Sequence, residues 1–221
     1  GTGTSGDPYG DLQYALNTAT RDATNGNRFN IKAGTAEVMA SAIDLTTYGT
    51  PTLAAPLVFQ GYTSAAGDGG IGEINNGGAN ISVINSATLD YICFVDMKLG
   101  NTGTAQILRL DGPIALVNVE LHTSTANSAI QFASGVMDKC WVHDATAAAF
   151  NTTIVTTNVY MMDCVIQCGG NLARSVSNTS LSFYLRNIFT VSHTGHTSAL
   201  SISGQSVIEG NSFYSSVANT S

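Results

Sequence analysis

The sequence contains little charge. Charged residues make up 10% of its 221 residues, well below the quarter or so that is typical of globular domains. Eight Lys and Arg face fifteen Asp and Glu, which gives a formal net charge of −7. A chain so poor in cations lacks the basic patch that nucleic-acid binding requires. We therefore expect no nucleic-acid partner.

Long apolar runs are also missing. No apolar stretch approaches the ~18 residues that a membrane-spanning helix needs, so we expect no membrane span. No basic segment followed by an apolar one marks a signal peptide. The first residue is Gly1 and not Met. We therefore expect either a processed chain or part of a longer one.

Cysteine is scarce, and its spacing fits no zinc site. The four cysteines are Cys93, Cys140, Cys164 and Cys168, and the last two have no second pair to complete a zinc pattern. Cys140 and Cys164 fall at equivalent positions of the repeat described below. A disulfide between them is sterically conceivable, but two buried free thiols are the expected state. We expect no cofactor.

What the sequence does contain is a repeat. Six segments end in an apolar residue at spacings of 22, 21, 24, 23 and 24 residues. Five residues upstream of each end lies a second apolar residue. A period in the low twenties is typical of stacked coils. The end positions are Leu99, Leu121, Val142, Ile166, Phe189 and Phe213, and the upstream positions are Phe94, Leu116, Met137, Met161, Tyr184 and Ile208.

The step of five residues predicts a bend in each coil. Successive side chains of a strand point to opposite sides, so an odd step cannot keep both columns inward in a flat strand. The segments are rich in Val, Ile, Tyr, Phe and Thr, which favours strands over helices. The predicted bends fall near Asp96, Asn118, Lys139, Asp163, Arg186 and Gly210.

A third column lies two residues before each end position. It contains Cys140 and Cys164, and then Asn187 and Asn211, which we expect to hydrogen-bond to each other along a coil corner. A second, weaker strand pattern recurs in each coil, and together the two patterns predict a parallel β-helix. The second pattern comprises Val83, Leu110, Phe132, Ile154, Val176 and Ile202, preceded two residues earlier by Ile81, Leu108, Ile130, Thr152, Arg174 and Leu200.

The first residues predict a helix that covers the first coil. Asp7 is the expected N-cap with Pro8 after it, and the apolar face Leu12, Ala15, Leu16 and Ala19 follows. Asn25-Gly26 is the expected stop. The predicted organisation is therefore a lead-in and capping helix over residues 1–27, and a β-helix over residues 28–221 with coils of about 21–26 residues.

Residues 64–80 form the most glycine-rich stretch of the chain. We interpret it as a surface loop inserted in a coil, with a ligand-contacting loop as the alternative. No Gly-Lys-Ser/Thr follows it, so it is not a phosphate-binding loop.

The entry of the chain resembles that of the pectate-lyase-like right-handed β-helix proteins. The resemblance rests on the helix motif LQYAL at residues 12–16 and on the strand that ends in Ala33-Gly34-Thr35. It implies an all-β, right-handed, single-stranded parallel β-helix with an N-terminal capping helix. It also implies that enzymes of this kind work on an outer strand face: lyases with a basic residue and often Ca²⁺, hydrolases with convergent carboxylates.

One outer face gathers most of the chemistry-bearing side chains. His122 and His143 occupy equivalent positions in adjacent coils, and Glu120 and Trp141 precede them by two residues. This face is a candidate for glycan contact or catalysis, or it is an ordinary solvated strand face. Two histidines lack a clear third metal ligand, so we expect no metal. The face comprises Lys98, Glu120, His122, Trp141, His143 and Asp144, with Arg109 and Asp111 on a neighbouring strand.

Two classes of function remain open. Low charge, abundant Ser, Thr and Asn, and the lack of an assembled catalytic set favour a non-enzymatic structural or adhesive protein of a virion surface, such as a capsid decoration protein, a head fibre or a tailspike segment. A homotrimer is then expected, with capsid or tail proteins and surface polysaccharide as further partners, at the virion surface or outside the cell. The alternatives are a polysaccharide lyase or hydrolase, or a non-catalytic glycan-binding β-helix centred on Trp141.

Overall fold

The computed structural model describes residues 9–45, 47–75, 82–86, 90–101, 107–110, 112–123, 130–144, 154–168, 173–175, 181–191, 200–202 and 204–215. Within these residues the regular structure is one short helix, α1 (Leu12–Thr18), and a series of short strands. None of the described helical structure is long and apolar enough to cross a membrane.

The strands are listed here in chain order. They are β1 (Asn27–Lys32), β2 (Glu37–Val38), β3 (Leu57–Tyr62), β4 (Gly72–Asn75), β5 (Ile84–Ser86), β6 (Ile92–Asn101), β7 (Leu108–Leu110), β8 (Pro113–Thr123), β9 (Ile130–Asp138), β10 (Trp141–Asp144), β11 (Ile154–Met162), β12 (Val165–Cys168), β13 (Ala173–Ser175), β14 (Ser182–Leu185), β15 (Ile188–Val191), β16 (Leu200–Ile202), β17 (Ser206–Glu209) and β18 (Ser212–Ser215).

These strands pair in parallel, each with the equivalent strand of the next coil, and form three stacks. Stack A contains β1, β3, β6, β8, β9, β11, β14 and β17. Stack B contains β2, β4, β6, β8, β10, β12, β15 and β18. Stack C contains β5, β7, β9, β11, β13 and β16. The predicted parallel β-helix is confirmed, while its right-handed sense stays a prediction.

The two predicted apolar columns line the core. In stack B, Leu99 pairs with Leu121, Leu121 with Val142, and Val142 with Ile166. In stack A, Leu116 pairs with Met137. All of these side chains are fully buried. Each coil thus passes its apolar lining to the next, so one core runs through the stack.

The predicted bends are left-handed residues. Between the two columns of each coil lies one residue with φ between 51° and 65°. Residues other than Gly, Asn and Asp rarely adopt this backbone region. The residue turns the chain from stack A into stack B. These residues are Asp96, Asn118, Lys139, Asp163, Arg186 and Gly210, the positions predicted from the step of five.

At four of these corners, Asn118, Lys139, Asp163 and Arg186, a side chain from the next coil hydrogen-bonds to the backbone of the turn. The amide oxygen of Asn187 accepts a hydrogen bond from the N–H of Cys164 (3.0 Å), and its Nδ2 donates to the carbonyl of Met161 (3.0 Å). Asn211 does the same one coil later, accepting from the Asn187 N–H (2.8 Å) and donating to the Tyr184 carbonyl. The corner hydrogen bonds predicted for this asparagine pair are confirmed. Each amide thereby closes the turn beneath it.

The two stacked cysteines make the same contacts with thiols. Cys164 Sγ accepts from the N–H of Cys140 (3.4 Å) and lies 3.5 Å from the carbonyl oxygen of Met137. Both thiols are buried and free, as predicted. The hydrogen bond with Cys164, together with burial, raises the pKa of the Cys140 thiol well above its usual value. A neutral thiol that can donate and accept suits this position.

The helix begins later and ends earlier than predicted. Its N-cap is Asp11, whose side chain accepts from the N–H of Tyr14 (2.6 Å), and the helix ends at Thr18. The expected N-cap Asp7 and Pro8 lie outside the described residues. Gly26 (φ 78°) lies in a turn just before β1 and does not end the helix. The buried side of the helix, Leu12, Ala15 and Leu16, nevertheless packs on the core as predicted.

The weaker strand pattern was only partly correct. Leu108 pairs with Ile130 as expected, but Ile130 pairs with Ile154 and not with Thr152. The next strand pairs through Ala173, one residue before the predicted Arg174. Most of these pairings cover only two or three residues, and the number of residues between successive strands varies, so sequence spacing alone does not fix their register.

The left-handed corners predict an unusual response to substitution. Lys139→Val should lower the free energy of unfolding by about 1–2 kcal/mol, because a β-branched residue is disfavoured at positive φ. Lys139→Gly should leave that free energy nearly unchanged or higher. Urea unfolding measures both, with Lys32→Val on the exposed side of β1 as the matched control. Equal losses at the two lysines would contradict the corner geometry.

The corner side chains predict a second effect on stability. Asn187→Ala should lower the free energy of unfolding by roughly 2–5 kcal/mol, since it leaves the Cys164 N–H and the Met161 carbonyl buried without this partner. Cys164→Ser should cost less than Cys164→Ala, because a hydroxyl still donates and accepts. Asn30→Ala, exposed on β1, is the control. An Asn187→Ala variant as stable as this control would contradict the stabilising role of these corner hydrogen bonds.

Candidate functional site

The outer side of stack B places the candidate residues in two adjacent rows. In the first row Lys98 pairs with Glu120, and Glu120 pairs with Trp141. In the second row His122 pairs with His143, two residues further along the same strands. These side chains point away from the core because they alternate with the buried residues Leu121 and Val142.

Glu120 joins the two rows. Its Oε1 lies 3.2 Å from Lys98 Nζ and 3.2 Å from His143 Nε2. The Glu120 side chain is 26% exposed, so the carboxylate lies partly sheltered between its two partners. One carboxylate oxygen thus fixes both an ammonium and an imidazole on the same surface.

Trp141 lies over His143. The indole and imidazole centroids are 4.2 Å apart and the rings are inclined by 27°, a stacked contact. The centroids of the His143 and His122 rings are 4.8 Å apart. Trp141 still keeps 44% of its surface exposed. The result is an indole that is supported on one side and open to solvent on the other. We call Lys98, Glu120, His122, Trp141 and His143 the stack B cluster.

Local charges shift the pKa of two members of the stack B cluster. Burial raises the pKa of Glu120, but hydrogen bonds from His143 and Lys98 outweigh it, so the pKa is lowered overall. Burial lowers the pKa of His122, and the nearby His143 and Lys98 lower it further. The cluster therefore keeps its carboxylate charged, while His122 favours the neutral form.

The remaining predicted residues lie apart from the cluster or cannot be placed. Asp144 belongs to β10, and its backbone pairs with Thr123 of β8. The Asp144 side chain lies outside the described residues. Arg109 is exposed in stack C, on β7, where it pairs with Gln131. Asp111 also lies outside the described residues.

Sequence reasoning missed two residues that extend the rows. Glu73 pairs with Lys98, and Asn75 with Gly100, one coil before the cluster. Asn75 Nδ2 donates to Glu73 Oε1 at 3.2 Å. Both residues belong to β4, which lies inside the stretch predicted to be a loop. The interpretation of residues 64–80 as a loop is therefore wrong for residues 72–75.

The signal for β4 was a glycine at an inward position. Gly72 occupies the core column, where an added Cβ would lie 2.7 Å from the Ile31 carbonyl oxygen, so a larger residue does not fit. The chain before it is ordered by Asp68, whose carboxylate accepts from the N–H groups of Ser64 and Ala65 among others. These hydrogen bonds hold the pKa of Asp68 well below its usual range. This turn leads the chain into β4.

A metal centre gains no support from the placed side chains. Within the described part of the chain, no three His, Cys, Asp or Glu side chains converge as metal ligands. His143 directs Nε2 to Glu120, so its ring is engaged within the cluster.

Comparisons with protein-family models, with curated proteins and with solved structures give no match for this chain. The function must therefore be argued from the residues themselves.

The Glu120 ion pairs predict a pH-dependent contribution to stability. Because the folded state lowers the pKa of Glu120, its stabilisation is present above the unfolded value of about 4.3 and is lost as pH falls through the folded pKa. At neutral pH the free energy of unfolding of wild type should exceed that of Glu120→Gln by about 1 kcal/mol or less. This difference should shrink below about pH 4.

Urea unfolding at a series of pH values measures that difference. Lys98→Met removes one of the two partners of Glu120, so in that background Glu120→Gln should lower the free energy of unfolding by a smaller amount. A difference between wild type and Glu120→Gln that stays constant down to acid pH would contradict the ion-pair description.

Proposed function

We propose that this chain is a non-enzymatic structural and adhesive β-helix of a virion surface, as a capsid decoration protein, a head fibre or a tailspike segment, and that the stack B cluster contacts surface polysaccharide. The observation that carries the proposal is Trp141, exposed on a flat strand face and stacked on His143. An exposed indole with a fixed orientation is a suitable platform for the apolar side of a sugar ring.

The surroundings of Trp141 suit a ligand rich in hydroxyl groups. His143 holds the indole from below, so little side-chain freedom is lost when a ligand binds. Lys98 and Glu120 lie in the same row and supply a donor and an acceptor, while their charges cancel. A sugar that stacks on Trp141 therefore meets polar groups without meeting a net charge.

The arrangement favours binding over catalysis. A hydrolase needs two carboxyl groups that converge on one bond. Here Glu120 is engaged by Lys98 and His143, and the next carboxylate of the row, Glu73, lies on the far side of Lys98. A lyase or hydrolase remains the second candidate because the Glu120–His143 contact of 3.2 Å could transfer a proton.

The virion setting is part of the same proposal. A parallel solenoid gives a long, regular body with little charge, and its Ser, Thr and Asn supply the polar surface. The homotrimer predicted from the sequence, and the location at a virion surface or outside the cell, stay predictions.

The proposal predicts that the chain binds polysaccharide through Trp141. Immobilised neutral polysaccharides (glucans, galactans and mannans) and acidic ones (polygalacturonate and alginate) provide the panel. Trp141→Ala should weaken binding by about tenfold or more, since it removes a stacking surface. Tyr14→Ala, an exposed aromatic residue on α1, is the matched control and should bind as wild type does.

Two results would contradict the proposed function. Absence of binding across the panel, with the protein folded by circular dichroism, would overturn the adhesive role. Release of oligosaccharides by wild type and not by Glu120→Gln would establish the enzymatic candidate in its place. Unsaturated products would indicate a lyase, and saturated reducing ends would indicate a hydrolase.

A further inference from the structure

The first row on the outer side of stack B becomes apolar beyond the stack B cluster. Trp141 pairs with Val165, and Val165 pairs with Ile188. Val165 is partly buried, and Ile188 is 40% exposed. These side chains face outward because they alternate along each strand with residues of the buried core column. Three successive coils thus present an apolar side chain at the same place.

The second row stays polar over the same three coils. His143 pairs with Gln167, and Gln167 pairs with Thr190. Gln167 is exposed, and Thr190 is partly exposed. The two rows lie roughly 7 Å apart, which is two residues along a strand. We call these six residues the amphipathic strip; they are Trp141, Val165 and Ile188 in the first row, and His143, Gln167 and Thr190 in the second.

An extended chain of sugar rings has the same two kinds of surface. Each pyranose ring has a face of C–H groups, which is apolar, and edges that carry hydroxyl groups. Coils repeat every ~4.8 Å, which is close to the advance per sugar in an extended, β-1,4-linked chain. A ring that lies on each residue of the first row therefore brings a hydroxyl-bearing edge toward the second row in every coil.

The charges beside the strip do not suit an acidic polysaccharide. At the corners of these coils, Arg186 donates to both carboxylate oxygens of Asp163 (2.8 Å each), so this ion pair is satisfied within the chain. The corner residue Lys139 supplies one cation, whereas an acidic polysaccharide carries a negative charge on most of its units. The net charge of −7 also repels a polyanion. An uncharged polysaccharide is therefore the favoured ligand.

We propose that the amphipathic strip binds an extended, uncharged polysaccharide that lies across the coils, with one sugar unit on each of Trp141, Val165 and Ile188 and its hydroxyl groups toward Gln167 and Thr190. This inference rests on the proposed binding of glycan at Trp141, and it adds the direction, the minimum length and the chemical class of the ligand. A solenoid suits such a ligand because successive coils repeat the same positions along one surface.

The proposal predicts that binding strengthens with the length of the glycan. Linear β-1,4-linked gluco- and manno-oligosaccharides of one to six units are the probes. Trp141 is the only tryptophan of the chain, so its fluorescence reports contact with a sugar. The trisaccharide should bind about fivefold or more tightly than the disaccharide, because it also reaches Ile188. Oligogalacturonates of the same length should bind more weakly than the neutral probes.

A charge placed at the third residue of the first row tests the direction of the bound chain. Ile188→Asp should remove most of the gain from disaccharide to trisaccharide, because the apolar face of a sugar ring cannot hydrogen-bond to the carboxylate that it would cover. It should leave binding of the disaccharide unchanged. Leu181→Asp is the matched control and should bind as wild type does, since Leu181 is similarly exposed (44%) and lies just before β14 of stack A. Circular dichroism and thermal unfolding confirm that each variant is folded.

The outcomes separate this inference from the proposed function. Failure of folded wild type to bind any of these glycans or the polysaccharide panel would overturn both. Binding that requires Trp141 but is equal for the disaccharide and the trisaccharide, or is unaffected by Ile188→Asp, would overturn the inference alone. The glycan would then contact Trp141 through a short terminal segment or lie along the strand. Tighter binding of oligogalacturonates would overturn the assignment to uncharged polysaccharides.

Discussion

The structure depends on how the chain turns each corner between stacks A and B. A left-handed residue such as Lys139 or Asp163 makes the turn, and it leaves an N–H and a carbonyl pointing into the core. At the Lys139, Asp163 and Arg186 corners the side chain one coil above supplies both hydrogen bonds, as Asn187 does for Cys164 and Met161. A dry core requires such partners, because an unpaired buried amide costs about 1–3 kcal/mol. Each of these coils is thereby joined to the turn of the coil before it.

This constraint explains which parts of the coil vary in length. The corner must keep its step of five residues, since the left-handed residue and the hydrogen-bonded N–H that follows it occupy fixed places within that step. The rest of the coil carries no such requirement, and coil lengths range accordingly from 21 to 24 residues along the downstream column. Loops of a solenoid tolerate insertions because they leave the stacking of the strands intact.

The sequence predicted the parts of the fold that the corner controls. The columns through Leu121 and Met137 and the bends at Asn118 and Lys139 followed from one odd step and the alternation of side chains. Stack C was harder, because its pairings are short and the residue that pairs with Ile154 is Ala173, which a search for apolar columns gives little weight.

The helix start shows a different difficulty. The predicted N-cap was Asp7, because Pro8 follows it. The observed helix begins after Asp11, whose carboxylate accepts from Tyr14, while the N–H of Leu12 donates to Glu37 Oε1 (3.0 Å). A side chain twenty-five positions away thus satisfies the first N–H of the helix, and local propensity does not contain that information.

The candidate site was predictable as a set of neighbours but not as a set of contacts. Parallel coils in register place Glu120 beside Trp141 and His122 beside His143, so spacing alone brought them together. Two contacts depend on side-chain rotamers, which spacing does not specify. They are the stacking of the Trp141 indole on His143 and the contact of Glu120 with His143. Glu73 was missed because the glycine that admits β4 to the core also resembles a loop signal.

The contrast between the two outer sides shows what the fold does and does not require. A solenoid core constrains only the inward residues, so Ser, Thr or Lys would serve at the outward positions of either stack. The outward residues of stack B include the charged Lys98 and Glu120. The outward residues of stack A include Val95, Val117 and Tyr160. Exposed apolar strand faces promote unwanted association. The core therefore does not account for the apolar character of these outward positions.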